Sequence, residues 1–184
     1  MTPIAAPQVR AALAMSALLA IAVPESAGAH SASDAYLTLT TEASSSTGQR
    51  EIHGQWDISL RDLDFVLKLD DDGDGRLTWG EVHAHQAAID DYAYRYLQAD
   101  GGPGNACVIK PRRQMIDDHA DGAYMALFFD IICAHVAPKL TLRYSLFFHI
   151  DPSHRGIFVM QKGSEVATAL LSPDNATIEL KSLK

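Results

Sequence analysis

Twelve consecutive residues, 70–81, constrain the structure of this chain more than any other segment. Carboxylates occupy the first, third and fifth positions, and a glutamate occupies the twelfth. Glycine at the sixth position allows a sharp turn that a residue with a Cβ atom makes only at a cost. Hard oxygen donors with this spacing are what Ca²⁺ takes up in a loop between two helices. The segment therefore predicts a helix–loop–helix calcium site of the EF-hand type.

The spacing also predicts the ligands. The three aspartates approach the ion from different sides, and position 7 offers only its backbone carbonyl, so a basic side chain is acceptable there. Position 9 can hold a bridging water, and a glutamate that binds through both oxygens favours Ca²⁺ over Mg²⁺. The predicted ligands are Asp70, Asp72, Asp74, Arg76, Thr78 and Glu81. The alternative interpretation is an acidic, glycine-rich turn that binds no metal.

The residues on both sides of the loop predict helices. Ser59 can cap an entering helix, with Asp62 three residues later as the partner in a capping box. After the loop, apolar residues recur every three or four positions, which predicts an exit helix from about Glu81 to Leu97. The glycine-rich segment 100–104 should end that helix. We therefore expect the helix–loop–helix to be an insertion over about residues 58–98.

The chain contains no second copy of this loop. Residues 117–122 begin in a similar way, but Phe128 stands where the metal-binding glutamate would be, and the following residues are typical of a strand. A single hand must either dimerise or pack its apolar helix faces and Leu77 on the rest of the chain. We favour the second arrangement because the remaining sequence is large and apolar.

The remainder of the sequence predicts short β-strands. Segments that are apolar or alternate between apolar and polar residues are separated by turn residues, a pattern typical of a β-sandwich. The predicted strands are 36–40, 52–56, 107–110, 112–116, 124–133, 140–150, 156–161, 165–171 and 176–180. The expected fold class is α+β, mainly β, with a β-sandwich-like domain that contains the inserted EF-hand.

The N-terminus has the features of a secretory signal peptide, residues 1–29. Arg10 supplies the positive charge, residues 11–23 form an apolar stretch, and Ala27-Gly28-Ala29 provides a cleavage site of small residues. Cleavage near Ala29–His30 would leave a single exported domain, residues 30–184, in the periplasm or outside the cell. An N-terminal anchor that is not cleaved is the alternative.

The two cysteines are consistent with export. Cys107 and Cys133 predict one disulfide between neighbouring strands, as expected in an oxidising compartment. Two buried free thiols are the alternative, because a single pair of cysteines is a weak pattern.

The net charge of −8 is concentrated in the predicted metal-binding segment. Residues 57–91 contain ten acidic residues and three basic residues. Without a cation these carboxylates repel one another, so the calcium-free protein should be less stable there. The sequence contains no basic stripe that would bind nucleic acid.

Three blocks of the sequence carry a resemblance to a known family. They are Ala29-His30-x-x-Ser33-Asp34-x-Tyr36-Leu37, Trp56-Asp57-Ile58-x-Leu60-Arg61-Asp62-Leu63-Asp64 and Asp151-Pro152-x-His154-Arg155-Gly156. They resemble the extracytoplasmic N-terminal region of HupE/UreJ-like bacterial membrane proteins. The resemblance implies a multi-helix membrane portion with accessory roles for hydrogenase and urease, and with metal transport. We expect either a part of such a protein or a free-standing soluble relative, and only the calcium ligands are carried over.

The expected function is a periplasmic calcium-binding domain in which the ion is structural. Exported proteins meet abundant calcium, and extracellular sites of this type have dissociation constants of about 10⁻⁴ to 10⁻³ M. A single loop would be occupied most of the time, and binding would stabilise the fold by mass action.

The alternative function is a module that binds or delivers nickel or copper for a membrane transporter. Cleavage after Ala29 would leave a free amine and an imidazole on His30, a chelate suited to Cu²⁺ or Ni²⁺. The spacing of the eight histidines predicts no other metal site.

An enzyme is not expected. The sequence lacks the motifs of serine hydrolases, zinc proteases and phosphate-binding loops. Residues 117–121 contain three aspartates and His119, and this cluster fits a polar hairpin turn between two strands better than a catalytic site.

Overall fold

A computed structural model describes residues 33–41, 52–135 and 139–181. Within these residues the strands are β1 (Asp34–Thr41), β2 (Ile52–Ser59), β3 (Leu97–Asp100), β4 (Cys107–His119), β5 (Gly122–Cys133), β6 (Lys139–Tyr144), β7 (Arg155–Lys162), β8 (Glu165–Leu171) and β9 (Thr177–Lys181). The helices are α1 (Leu60–Leu67), α2 (Trp79–Ala84) and α3 (Gln86–Ala93), followed by a 3₁₀ turn (Tyr94–Tyr96). The predicted α+β, mainly β class is confirmed. None of the helices in the described ranges is long and apolar enough to cross a membrane.

The described strands form two sheets that share one core. Six strands form a mixed sheet in the order β4-β5-β2-β1-β7-β8, and the other three form the sheet β3-β6-β9. In the larger sheet β1 and β7 are parallel, and the other neighbours are antiparallel. Trp56 of the larger sheet is fully buried, and its ring centroid lies 5.5 Å from that of Tyr144 in the smaller sheet. The apolar sides of both sheets therefore belong to one core.

The larger sheet has one buried face and one outer face. Along β1, Leu37 and Leu39 are fully buried, whereas Tyr36 and Thr38 are only half-buried, as expected for side chains that alternate along a strand. On the buried face the ring of Phe129 lies directly over Gly54 of β2, so closely that a Cβ atom at Gly54 would overlap it.

β4 is one strand of 13 residues, although the sequence predicted two strands, 107–110 and 112–116. Pro111 does not interrupt it, because proline is tolerated at a sheet edge and at a bulge. Both conditions hold: β4 is an edge strand, and its register with β5 shifts between Pro111 and Arg113. At the start of this strand Cys107 faces Cys133, and the two form the predicted disulfide.

The prediction of one exit helix from Glu81 to Leu97 is wrong. His85, with φ −98° and ψ 7°, separates α2 from α3, and the helical part ends with the 3₁₀ turn. Leu97 instead begins β3, where it faces Tyr144 of β6. Pairing with β6 provides backbone partners that the local helical pattern could not predict.

The predicted strand 140–150 is too long, because β6 ends at Tyr144. The next residues form turns in which the amides of Ile150 and Asp151 donate to the carbonyl of Phe147 at 2.9 and 2.8 Å. Leu146 and Phe147 are both buried. A strand would direct these two adjacent side chains to opposite faces. The turn, in which Phe147 takes a φ of 58°, allows both to enter the core.

The predicted capping box at the start of α1 is also wrong. Ser59 precedes the helix, but its side chain makes no capping hydrogen bond. The carboxylate of Asp62 instead accepts a hydrogen bond from the hydroxyl of Ser33 at 2.8 Å. A long-range partner has therefore replaced the local one.

Candidate metal site

The predicted calcium loop connects α1 to α2. The first helix ends at Leu67, and the next residue, Lys68, takes the left-handed conformation and donates its amide to the carbonyl of Asp64 at 2.8 Å. The carboxylate of Asp64 accepts hydrogen bonds from the amides of Leu69 and Asp70 at 2.8 and 3.1 Å. Leu69 is fully buried. These contacts fix the point at which the chain leaves the helix.

The carboxylate of Asp70 organises the first half of the loop. One of its oxygens accepts hydrogen bonds from the amides of Gly73 and Asp74 at 2.8 and 3.2 Å, and the other accepts from the amide of Gly75 at 2.8 Å. Gly73 and Gly75 have φ angles of 71° and 78°, in the left-handed region that favours glycine. The backbone therefore wraps around the carboxylate of Asp70. The sharp turn that the sequence predicted at the sixth position is present at Gly75.

Three aspartates of the loop converge. One oxygen atom from each of Asp70, Asp72 and Asp74 lies within 4.8 Å of the other two. The amide of Asp74 donates to Asp72 and lowers its pKa, but repulsion from the carboxylates of Asp74 and Glu81, together with slight desolvation by the loop, leaves that pKa above its ordinary value. A divalent cation between these oxygens would relieve the repulsion.

Glu81 contacts both ends of the loop, Asp71 near its start and Thr78 near its end. One carboxylate oxygen accepts hydrogen bonds from the amide and the hydroxyl of Thr78 at 2.8 and 2.7 Å, and the Glu81 amide donates back to that hydroxyl at 3.3 Å. The other oxygen accepts from the amide of Asp71 at 3.0 Å. These hydrogen bonds, chiefly those from Thr78, lower the pKa of Glu81. Ion binding through both oxygens would require Glu81 to release Thr78.

The six predicted ligands thus differ in their present contacts. It brings the carboxylates of Asp70, Asp72 and Asp74 together, whereas Glu81 is engaged with neighbouring loop residues. Arg76 contributes its amide, which donates to Asp74 at 2.8 Å, and Thr78 caps the start of α2.

The helix–loop–helix packs on the rest of its own chain. Its fully or almost fully buried apolar side chains include Leu63, Leu69, Val82 and Ile89. Leu77 is partly buried and lines a cleft of about 420 Å³ together with Ile116 and Ala123 of the β4–β5 hairpin. The helix–loop–helix is therefore supported by its own chain, which agrees with the expected packing.

A partly buried polar cluster that sequence reasoning missed lies beside α1. The hydroxyl of Ser33 is 2.8 Å from a carboxylate oxygen of Asp62 and 2.7 Å from Nδ1 of His154, and Nε2 of His154 is 2.6 Å from the hydroxyl of Tyr144. An ionised carboxylate only accepts, so Ser33 donates to Asp62, Nδ1 donates to Ser33, and Tyr144 donates to Nε2. Ser33, Asp62 and His154 belong to the three blocks of the family resemblance, which is the signal that could have found them.

The polar residues 117–121 lie at the end of the β4–β5 hairpin, as predicted. His119 faces Gly122 across the turn, and its ring stacks on Tyr124 with centroids 4.1 Å apart. Its Nε2 atom is 3.8 Å from Asp57 and 3.9 Å from Asp117. These contacts account for the cluster as part of the folded hairpin.

The sequence matches no protein-family model, and it matches no curated protein. The resemblance to HupE/UreJ-like membrane proteins therefore stays a prediction, as does the absence of enzymatic activity. The nickel or copper alternative depends on His30, which lies outside the described residues. Function is inferred from the loop and from the contacts that support it.

Proposed function

We propose that this protein binds one Ca²⁺ ion in the loop 70–81 and that the ion has a structural role. The observation that carries the proposal is the convergence of three carboxylates in a loop whose two glycines take the left-handed conformation. Oxygen ligands from positions 1, 3 and 5 around such a turn are the first half of an EF-hand coordination shell. Glu81, at position 12, completes the shell once it turns from Thr78 to the ion.

The packing of the loop ends supports a structural ion rather than a sensor. Leu69 directly before the loop and Val82 directly after Glu81 are both buried in the common core. Sensor hands open on binding calcium and expose an apolar groove. Here such an opening would remove buried side chains from the core, so binding is expected to stabilise the existing arrangement. At a calcium concentration ten times the dissociation constant the gain is about 1.4 kcal/mol.

Calorimetric titration and thermal unfolding test the proposal. We expect one calcium site with a dissociation constant on the order of 10⁻⁴ to 10⁻³ M, weaker binding of Mg²⁺, and a lower melting temperature in EDTA. Asp72→Asn and Glu81→Gln should weaken binding, whereas Asp118→Asn, an exposed acid on the hairpin, should not. The proposal is ruled out by absence of binding at millimolar calcium, or by equal effects of all three substitutions.

We also propose an exported location and a membrane protein as partner. The disulfide between Cys107 and Cys133 supports an oxidising compartment, in agreement with the signal-peptide pattern of residues 1–29. The partner is suggested by the family resemblance alone. Cell fractionation with mass spectrometry of the N-terminus tests the location, with His30 as the expected first residue. A cytoplasmic protein that retains residues 1–29 would contradict it.

A further inference from the structure

A β-bulge places two successive arginines on the same face of the larger sheet. Successive side chains of a strand normally point to opposite faces, but the register shift between Pro111 and Arg113 leaves Arg112 without an opposite residue. Arg112 Nη1 donates to the carboxylate of Asp130 at 2.6 Å, and the Arg113 guanidinium lies 4.4 Å from the ring centroid of Phe128. Asp130 and Phe128 are two residues apart on β5, so both arginines lie on one face.

Asp130 also orients a histidine in this cluster. Its side chain is 4% exposed, and its Oδ1 lies 2.8 Å from Nδ1 of His53. Burial raises the pKa of Asp130, but the hydrogen bonds from His53 and Arg112 outweigh burial and hold that pKa below its ordinary value. Because the ionised carboxylate only accepts, Nδ1 of His53 carries a proton. The Nε2 atom, on a side chain 41% exposed, remains for another partner.

These residues line one cleft. His53, Arg112, Arg113, Asp130 and Phe128 surround a volume of about 490 Å³, a size typical of small-molecule sites. The cleft contains two guanidinium groups and one carboxylate, and that carboxylate already has two partners, His53 and Arg112. The cleft is therefore locally positive on a chain whose net charge is −8.

We propose that this cleft binds a small organic oxyanion, a carboxylate or a phosphate monoester attached to an apolar body. Arg112 uses one of its five N–H donors on Asp130, so the others, with those of Arg113, are available for charge-assisted hydrogen bonds. The ring of Phe128 contacts the apolar body, and Nε2 of His53 orients the ligand.

The charge on the rest of the face selects against large polyanions. Asp57 lies four residues after His53 on β2 and therefore on the same face, and Asp117 is within 3.9 Å of the nearby His119. A nucleic acid strand long enough to pass over this region would meet these carboxylates. A small ligand confined to the arginine cleft would not.

Nuclear magnetic resonance titration of the protein tests the inference. Phenyl phosphate and benzoate are the anionic probes, and benzyl alcohol is the neutral control. We expect saturable shifts at residues 53, 112, 113 and 128 with at least one anion, and the comparison of the two identifies the preferred headgroup. Arg113→Gln should weaken that binding about tenfold. Arg143→Gln, the same charge change at an exposed position of β6, should leave it unchanged.

Three results would overturn the inference. They are the absence of saturable shifts with both anions at about 10 mM, equal binding of benzyl alcohol, and equal weakening by Arg113→Gln and Arg143→Gln. Because Arg113 is exposed, its substitution should not prevent folding, and an unchanged melting temperature would verify this. His53→Gln provides a second variant, which should weaken anion binding without changing the charge of the arginine pair.

Discussion

The hydroxyl oxygen of Ser33 lies 2.7 Å from Nδ1 of His154, although 121 positions separate the two residues. Next to this contact the amide of Arg155 donates to the carbonyl of Ser33 at 3.0 Å, where the parallel strands β1 and β7 begin. Asp62 of α1 and Tyr144 of β6 complete the cluster. The buried, neutral imidazole and the Ser33 hydroxyl together therefore connect the starts of β1 and β7 with α1 and β6.

We expect acid to destabilise the protein through His154. Burial lowers the pKa of His154 to about 4, whereas an unfolded histidine titrates near its ordinary value of 6.5. The unfolded state therefore binds the proton more tightly. The stabilising contribution is complete above about pH 6.5 and is lost as the pH falls towards 4, up to about 3 kcal/mol. Urea unfolding at pH 7 and pH 4.5 measures the difference.

The matched variants are His154→Gln and His135→Gln, the second at an exposed histidine. His154→Gln should be less stable at pH 7 because it breaks the cluster, but it should lose less stability between the two pH values. His135→Gln should keep the full pH dependence. If His154→Gln retains it as well, another group is responsible.

We expect Gly54→Ala to destabilise the larger sheet. The added methyl group would overlap the ring of Phe129, which is almost fully buried and cannot move aside without disturbing the core. Overpacking of this kind costs about 1 to 3 kcal/mol, measured by denaturant unfolding. Phe129→Leu vacates part of the space, so the double variant should lose less stability than the sum of the single variants. Strictly additive losses would show that the ring is not the cause.

Local patterns were sufficient where one element determines its own structure. The alternation along residues 36–40 predicted a strand, which lies within β1, and the glycine at the sixth loop position predicted the sharp turn at Gly75. Both follow from backbone geometry that a short segment already contains.

Prediction failed where a distant partner decided the structure. Leu97 continues a helical pattern, but pairing of β3 with β6 makes it the first residue of a strand. Pro111 is typical of a break, but the sheet edge and the bulge accommodate it. The contact of Ser33 with His154 depends on bringing β1 beside β7, and no local pattern predicts a parallel pairing over that distance.

We expect loss of the disulfide to reduce stability substantially. Cys107 and Cys133 are 26 positions apart, and closing a loop of that length destabilises the unfolded chain by about 3.5 kcal/mol. The variant with both residues replaced by alanine should have a lower free energy of unfolding by about this amount. A reductant should lower the stability of the wild-type protein but not of the variant. Equal sensitivity of both proteins to the reductant would contradict the prediction.

We expect Gly75→Ala to weaken calcium binding as well as the fold. Nothing lies within 4 Å of a Cβ atom added at Gly75, so the cost comes from its φ of 78° alone and is about 1 to 2 kcal/mol. The relaxed backbone would withdraw the Gly75 amide from Asp70, which it now contacts at 2.8 Å, and would disturb the first ligand.

Gly80→Ala is the matched control, because Gly80 lies in α2 and an added Cβ atom would meet only the Thr78 hydroxyl at an ordinary 3.8 Å. Alanine there should keep calcium affinity and stabilise the helix by up to about 1 kcal/mol. In calorimetric titrations we expect the dissociation constant of Gly75→Ala to rise about tenfold. If both variants bound calcium as tightly as the wild-type protein, the turn at Gly75 would not be part of the site, since a ligand set that depends on this turn cannot survive its distortion.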